Sequence, residues 1–214
     1  MDAAHAILGG LGDVFQGRLS RLAMVNLVVA AALTVAGAWA IMHFVVPLIP
    51  TGTGWLGPVS AAGAFAANLA AIVLAVALSP AVSMAVGGAL FDLAVARIER
   101  QVGLAEARSP SLREGLLNGL HIAGLPLALN LISLPVLFVP VVNFFWFLAL
   151  NGYLMGREYF SLAALRRMSW EDARDLRRRH RGAIFAIGLF AAILPFVAPL
   201  FGASAMTRLI KRCV

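Results

Sequence analysis

The segment Gly17-Arg18-Leu19-Ser20-Arg21 places two guanidiniums and a hydroxyl beside a glycine, directly before a long charge-free run. A guanidinium offers planar, forked donors and a permanent charge, while a helix N-terminus offers free backbone N–H groups and partial positive charge. Together they suit a tetrahedral oxyanion. Residues 18 and 21 share a face if the helix has begun. The same side chains also suit anchoring of a helix in lipid headgroups, and spacing alone favours anchoring. The candidate anion site is therefore Gly17, Arg18, Ser20 and Arg21, with both readings open.

Other chemistry is sparse. The histidines, His5, His43, His121 and His180, form no HExxH and no bis-histidine spacing, so no metal or cofactor is expected. His43 and His121 are expected to bond backbone carbonyls inside a helical bundle. Cys213 stands alone and makes no intrachain disulfide or thiolate cluster. There is no GxxxxGK[ST] phosphate loop, and no nucleophile, acid pair or metal constellation that would mark an enzyme.

The elements that must position the arginine segment are apolar. Of 214 residues, 61% are hydrophobic and 13% charged, against roughly 45–50% and about 25% in an average soluble domain, and the mean hydropathy is +0.90. The apolar residues are blocked into long charge-free runs, which points to lipid as solvent and to one all-α integral membrane domain spanning 1–214. The net charge is +7, from seventeen cations and ten acids. The cations lie in short segments between apolar runs without any nucleic-acid-binding pattern, so membrane lipids are expected partners and nucleic acid is not.

Residues 1–21 read as an interfacial segment of mature sequence, because no Lys or Arg precedes Arg18. Residues 22–50 form a first transmembrane helix ending at Pro47 and Pro50. Residues 59–100 read as one long helix, kinked at Pro80, with Gly87-Gly88 permitting close helix contact. Residues 115–156, broken by Pro126, Pro135 and Pro140, are either two short spans or a bent hairpin. Residues 157–181 hold eight of the sixteen arginines, and Ser169 through Asp172 resemble a capping box opening a short helix. Within this cytoplasmic segment Arg166, Arg167, Arg177, Arg178 and Arg179 are candidate contacts for headgroups or a partner. Residues 182–207, broken by Pro195 and Pro199, read as a re-entrant hairpin. Its two arms of roughly 18–20 Å are too short to span a core of about 30 Å. With the uncharged loop 51–58 outside, all the cationic segments then face the cytoplasm.

The chain resembles the CysZ-type sulfate permease family, which includes the etoposide-induced-protein-like membrane proteins. The resemblance runs from Leu11 to Arg212. It is best at Leu19-Ser20-Arg21, at Leu90-Phe91-Asp92 through Glu99, and at Gly152 through Phe160 with Arg166-Arg167; Gly202 to Arg208 also resembles the family's ending. It implies an inner-membrane protein of two long transmembrane helices and membrane-dipping helical hairpins. Such a protein assembles as a homo-oligomer and admits sulfate or a related oxyanion for cysteine biosynthesis, with no nucleotide domain of its own. An arginine pair before the first long helix is associated with sulfate in that family. Here its second member matches Arg21, while Ser20 stands at the first position and Arg18 lies two residues earlier.

Two functions from different classes follow. One is a passive anion channel or permease of the bacterial inner membrane with its mouth at residues 17–21. The other is a non-transporting protein that organises lipid or a partner through residues 157–181.

Overall fold

The computed structural model describes residues 2–48, 57–104, 107, 129, 132–133, 136 and 140–213. The described residues are all-α. α1, Asp2–Phe15, turns through residues 16–19 into α2, Ser20–Ala40. α2 runs on through a π-helical turn, Ile41–Val45, and a 3-10 turn, Val46–Leu48. Pro47 lacks the N–H that would bond the His43 carbonyl, and its ring crowds that carbonyl, so the helix loses its regular pitch at this point. The stretch Ser20–Phe44 is long and apolar enough to cross a membrane.

The second expected span falls in α3, Gly57–Ala89, a 33-residue helix that continues through Pro80. Its apolar stretch among the described residues, Ala62–Ile72, is shorter than a span, so Ser20–Phe44 is, among the described residues, the one helix clearly long and apolar enough to cross a membrane, where two were expected. The run expected as a single helix over 59–100 is divided at Leu90. There the backbone N–H is shared between the carbonyls of Val86 and Gly87, both at 3.2 Å. α4, Phe91–Gln101, starts at once and buries Phe91, Ala94, Val95 and Ile98. Just before the break, Gly87 lies against the ring of Pro199.

Half of the 115–156 run lies outside the described residues, as does His121. From Pro140 the chain is a single helix, α5, Pro140–Ala164. The short helix α6, Trp170–Arg179, opens on Ser169, whose hydroxyl accepts the Asp172 N–H at 3.2 Å and donates to the Asp172 carboxylate at 2.6 Å. The final apolar run divides into α7, Arg181–Ile193, and α8, Ala198–Cys213, joined by the turn at Leu194 to Val197.

α8 is the centre of the assembly. Every residue from Ala198 to Thr207 is buried, as are Leu209 and Ile210. Helices α1, α4, α5 and α7 all pack on it. Small residues at the contacts let helix backbones approach closely. α5 and α7 meet at glycine. A β-carbon on Gly156 would stand 2.5 Å from the Ile184 carbonyl oxygen, and one on Gly188 would overlap the Gly152 carbonyl oxygen. On the α8 side, Gly202 makes room for the ring of Tyr159, which itself stacks on Phe91 at 5.7 Å.

Gly188→Ala is therefore expected to force α5 and α7 apart and to destabilise the fold by about 1–3 kcal/mol, the usual scale of overpacking. Gly182→Ala, at a position where a β-carbon meets open space, is expected to leave the detergent melting temperature unchanged. Equal melting of the two variants would refute the glycine contact.

Candidate anion-binding site

Residues 16–19 form a tight turn. Gln16 N–H donates to the Gly12 carbonyl at 2.9 Å and Leu19 N–H to the Asp13 carbonyl at 3.0 Å. A β-carbon on Gly17 would lie 2.8 Å from the Asp13 Cα, so glycine is what lets the chain turn this tightly after α1. The Ser20 hydroxyl donates to the Gly17 carbonyl at 2.7 Å, which engages it within the turn. Leu19 is fully buried and pegs the turn into the core, leaving Arg18 and Arg21 exposed on either side of it. Neither guanidinium has a partner among the described residues. α2 begins without a side-chain cap and without an acid in its first turn, so its free N–H groups and partial positive charge face the same region.

Beneath this turn lie polar groups that the sequence reading passed over. Asp13 is buried, and its Oδ2 accepts from Ser204 Oγ at 2.6 Å and from Arg208 Nε and Nη2 at 2.9 and 2.7 Å. Its Oδ1 takes a longer bond from Gln101 at 3.4 Å. Asp13 thus ties α1 to α4 and α8. One and a half turns into α2, Asn26 is fully buried. Its Nδ2 donates to Ser83 Oγ at 3.0 Å and to the Phe196 carbonyl at 2.6 Å, and Ser83 donates to that same carbonyl at 2.8 Å. Asn26 Oδ1 has no partner among the described residues. The available signal was Asn26, the one amide of its charge-free run, and a serine among several in the next.

The five arginines expected at headgroups or a partner divide. Arg166 bonds Asp92 at 3.0 Å and Glu99 at 3.4 Å, and Arg167 bonds Glu99 at 2.9 Å, so these two tie the end of α5 to α4. Arg177 is half-buried; it donates to Ser161 Oγ at 2.9 Å and lies over the Trp170 ring at 5.9 Å. Arg178 is exposed, 3.9 Å from Asp175. Arg179 is also exposed, on a cavity of about 470 Å³ that Asp172 and Asp175 share. His43, expected to bond a carbonyl in the interior, is instead exposed and stacked on Trp39 at 5.0 Å, because the helix end leaves it outside the bundle. No group of three His, Cys, Asp or Glu side chains suited to a metal occurs among the described residues.

Glu99 and Asp92 share Arg166 but differ in surroundings, with side-chain exposures of 6% and 79%. Glu99→Ala removes the buried carboxylate facing two arginines and is expected to cost about 3 kcal/mol. Asp92→Ala is expected to cost less than about 1 kcal/mol. Comparable losses in thermal melting would overturn this ranking.

Glu158, near the end of α5, has its carboxyl pKa raised by burial, with Arg157 partly opposing. A carboxyl raised in the folded state favours folding while it is protonated, and that contribution is lost as pH rises through the folded pKa. Glu158→Gln is expected to stabilise the protein at alkaline pH and to have little effect in acid; a pH-independent difference in melting would refute the assignment.

No curated protein and no solved structure matches the chain. The family described as "Sulfate transporter CysZ/Etoposide-induced protein 2.4" matches residues 6–206, which takes in the arginine turn, the Asn26 cluster, Asp13 with Gln101 and Ser204, and both Arg166 and Arg167. The chain belongs to the sulfate transporter CysZ/etoposide-induced protein family.

Proposed function

We propose that the protein is a passive permease for sulfate or a related oxyanion in the bacterial inner membrane, with its mouth at Gly17, Arg18, Ser20 and Arg21. The observation that carries this reading is the pair of exposed guanidiniums, unpartnered among the described residues, at the uncapped start of the helix that is long and apolar enough to cross a membrane. Two arginines at a wet mouth attract a dianion without holding it, which conduction requires. Ser20 supports the turn, and Arg18 stands in for the family's first arginine. The buried amide of Asn26, with its unpartnered oxygen, lies about 7.5 Å further along α2 and offers the next polar contact.

In this reading α3, about 50 Å long at 33 residues, is the second span. α7 and α8, about 20 and 24 Å long, dip into the membrane without crossing it. The cationic segments then share the cytoplasmic side. The sulfate delivered supplies cysteine biosynthesis, and the protein works as a homo-oligomer, in keeping with the large apolar side chains left exposed along α2 and α5.

Radioactive sulfate uptake into proteoliposomes tests the proposal. Flux above protein-free vesicles is expected, falling roughly tenfold in Arg21→Ala, the scale of one lost charge-assisted bond. Flux equal to that of empty vesicles would overturn the permease reading. Flux unchanged in the variant would remove Arg21 from the mouth.

A further inference from the structure

The second arginine cluster lies away from the α1–α2 turn. Where α5, α6 and α7 meet, a cavity of about 270 Å³ is lined by Arg157, Arg177, Arg178 and Arg181, and no acid among the described residues lines it. The remaining wall is Tyr153, Ile184 and Phe185. Of the carboxylates on α5 and α6, Asp175 makes an exposed 3.9 Å pair with Arg178 outside the lining, and Glu158, beside Arg157, is held toward its neutral form by burial. Burial and the like charge of Arg157 also lower the pKa of Arg177, with Arg174 and Arg178 adding to the effect and Tyr153 opposing it. The cluster is thus a concentration of positive charge without a matching anion in its lining.

Its position narrows the ligand. Arg181 is the first residue of α7 and the last cation before the apolar run 182–207, so the cavity stands where charged sequence gives way to apolar sequence. That is headgroup level for a helix entering a bilayer. The apolar wall continues inward as an exposed face, with Phe185 and Ile193 two turns apart on α7 and Tyr153 and Trp146 two turns apart on α5. A free dianion needs only the guanidiniums. A phospholipid uses both the guanidiniums and the apolar face.

We propose that this cavity binds the phosphate of an anionic phospholipid, its acyl chains lying along the exposed faces of α5 and α7. Forked guanidinium donors suit phosphate oxygens. The site would fasten the α5–α6–α7 corner to the cytoplasmic leaflet.

The test uses the full-length, delipidated protein in neutral detergent, titrated with phosphatidylglycerol, phosphatidylcholine or sodium sulfate. Lipid retention is read by native mass spectrometry, and sulfate is added as competitor. Phosphatidylglycerol is expected to be retained in preference to phosphatidylcholine. Arg177→Gln with Arg181→Gln is expected to weaken retention about tenfold or more, on the usual contribution of each cation near a membrane surface. Because Arg177 is half-buried, the exposed pair Arg178→Gln with Arg181→Gln serves where the first variant does not fold, with loss in the same direction. Equal retention of the two lipids, or no loss in either variant, would overturn the proposal. Displacement of the lipid by sulfate at comparable concentration would assign the cavity to a free oxyanion instead. Arg21→Ala is expected to retain lipid normally, so the outcome is independent of whether the protein carries sulfate.

Discussion

Asp13 carries a carboxylate into the middle of the helical assembly, and the relation of α1, α4 and α8 follows from how that charge is satisfied. A buried ion costs several kcal/mol unless its partners converge with good geometry. Here two nitrogens of Arg208 and the hydroxyl of Ser204 meet one carboxylate oxygen, and Gln101 reaches the other. The same residue's backbone carbonyl accepts the Leu19 N–H that closes the turn. One amino acid therefore holds the core helix with its side chain and the arginine turn with its main chain. Arg18 and Arg21 stay exposed because Leu19, between them, is drawn inward.

Nine of the sixteen arginines fall into three groups. Arg166, Arg167 and Arg208 close ion pairs between helices and hold the fold together. Arg18 and Arg21 stand at a helix entrance. Arg157, Arg177, Arg178 and Arg181 collect on one cavity. The net positive charge of the chain is therefore an excess left at particular places after the interior pairs are subtracted, and those places border the apolar runs.

Much of this organisation was legible in the sequence, because charge-free runs and proline breaks act locally. The start of the first span, the capped helix after Ser169 and the division of the last apolar run between Pro195 and Pro199 all follow from such local signals. The break at Leu90 did not, since no proline marks it. Its cause is tertiary, the burial of Phe91, Ala94, Val95 and Ile98. The glycines at 152, 156 and 188 were visible as small residues, but that Gly156 faces Gly188 is a fact of packing. Asp13 passed as one acid in an interfacial segment because its partners, Ser204 and Arg208, lie 191 and 195 residues away. Arg166 and Arg167 looked like surface cations for the same reason. At the candidate site, spacing identified the arginines. It could not reveal that the Ser20 hydroxyl serves the turn, or that Asn26 is buried with an unpartnered oxygen.

The order of synthesis gives the Asp13–Arg208 pair another meaning. Asp13 in α1 is made 195 residues before Arg208 in α8, so α1 emerges carrying an acid whose main cation does not yet exist. α8 is also the helix that the others enclose. The earlier helices therefore form as a loose set around an unfilled centre, and α8, once made, converts that set into a fixed structure. Until then the Asp13 carboxylate lacks the arginine that compensates it, a chemical mark by which an incompletely folded chain differs from a folded one.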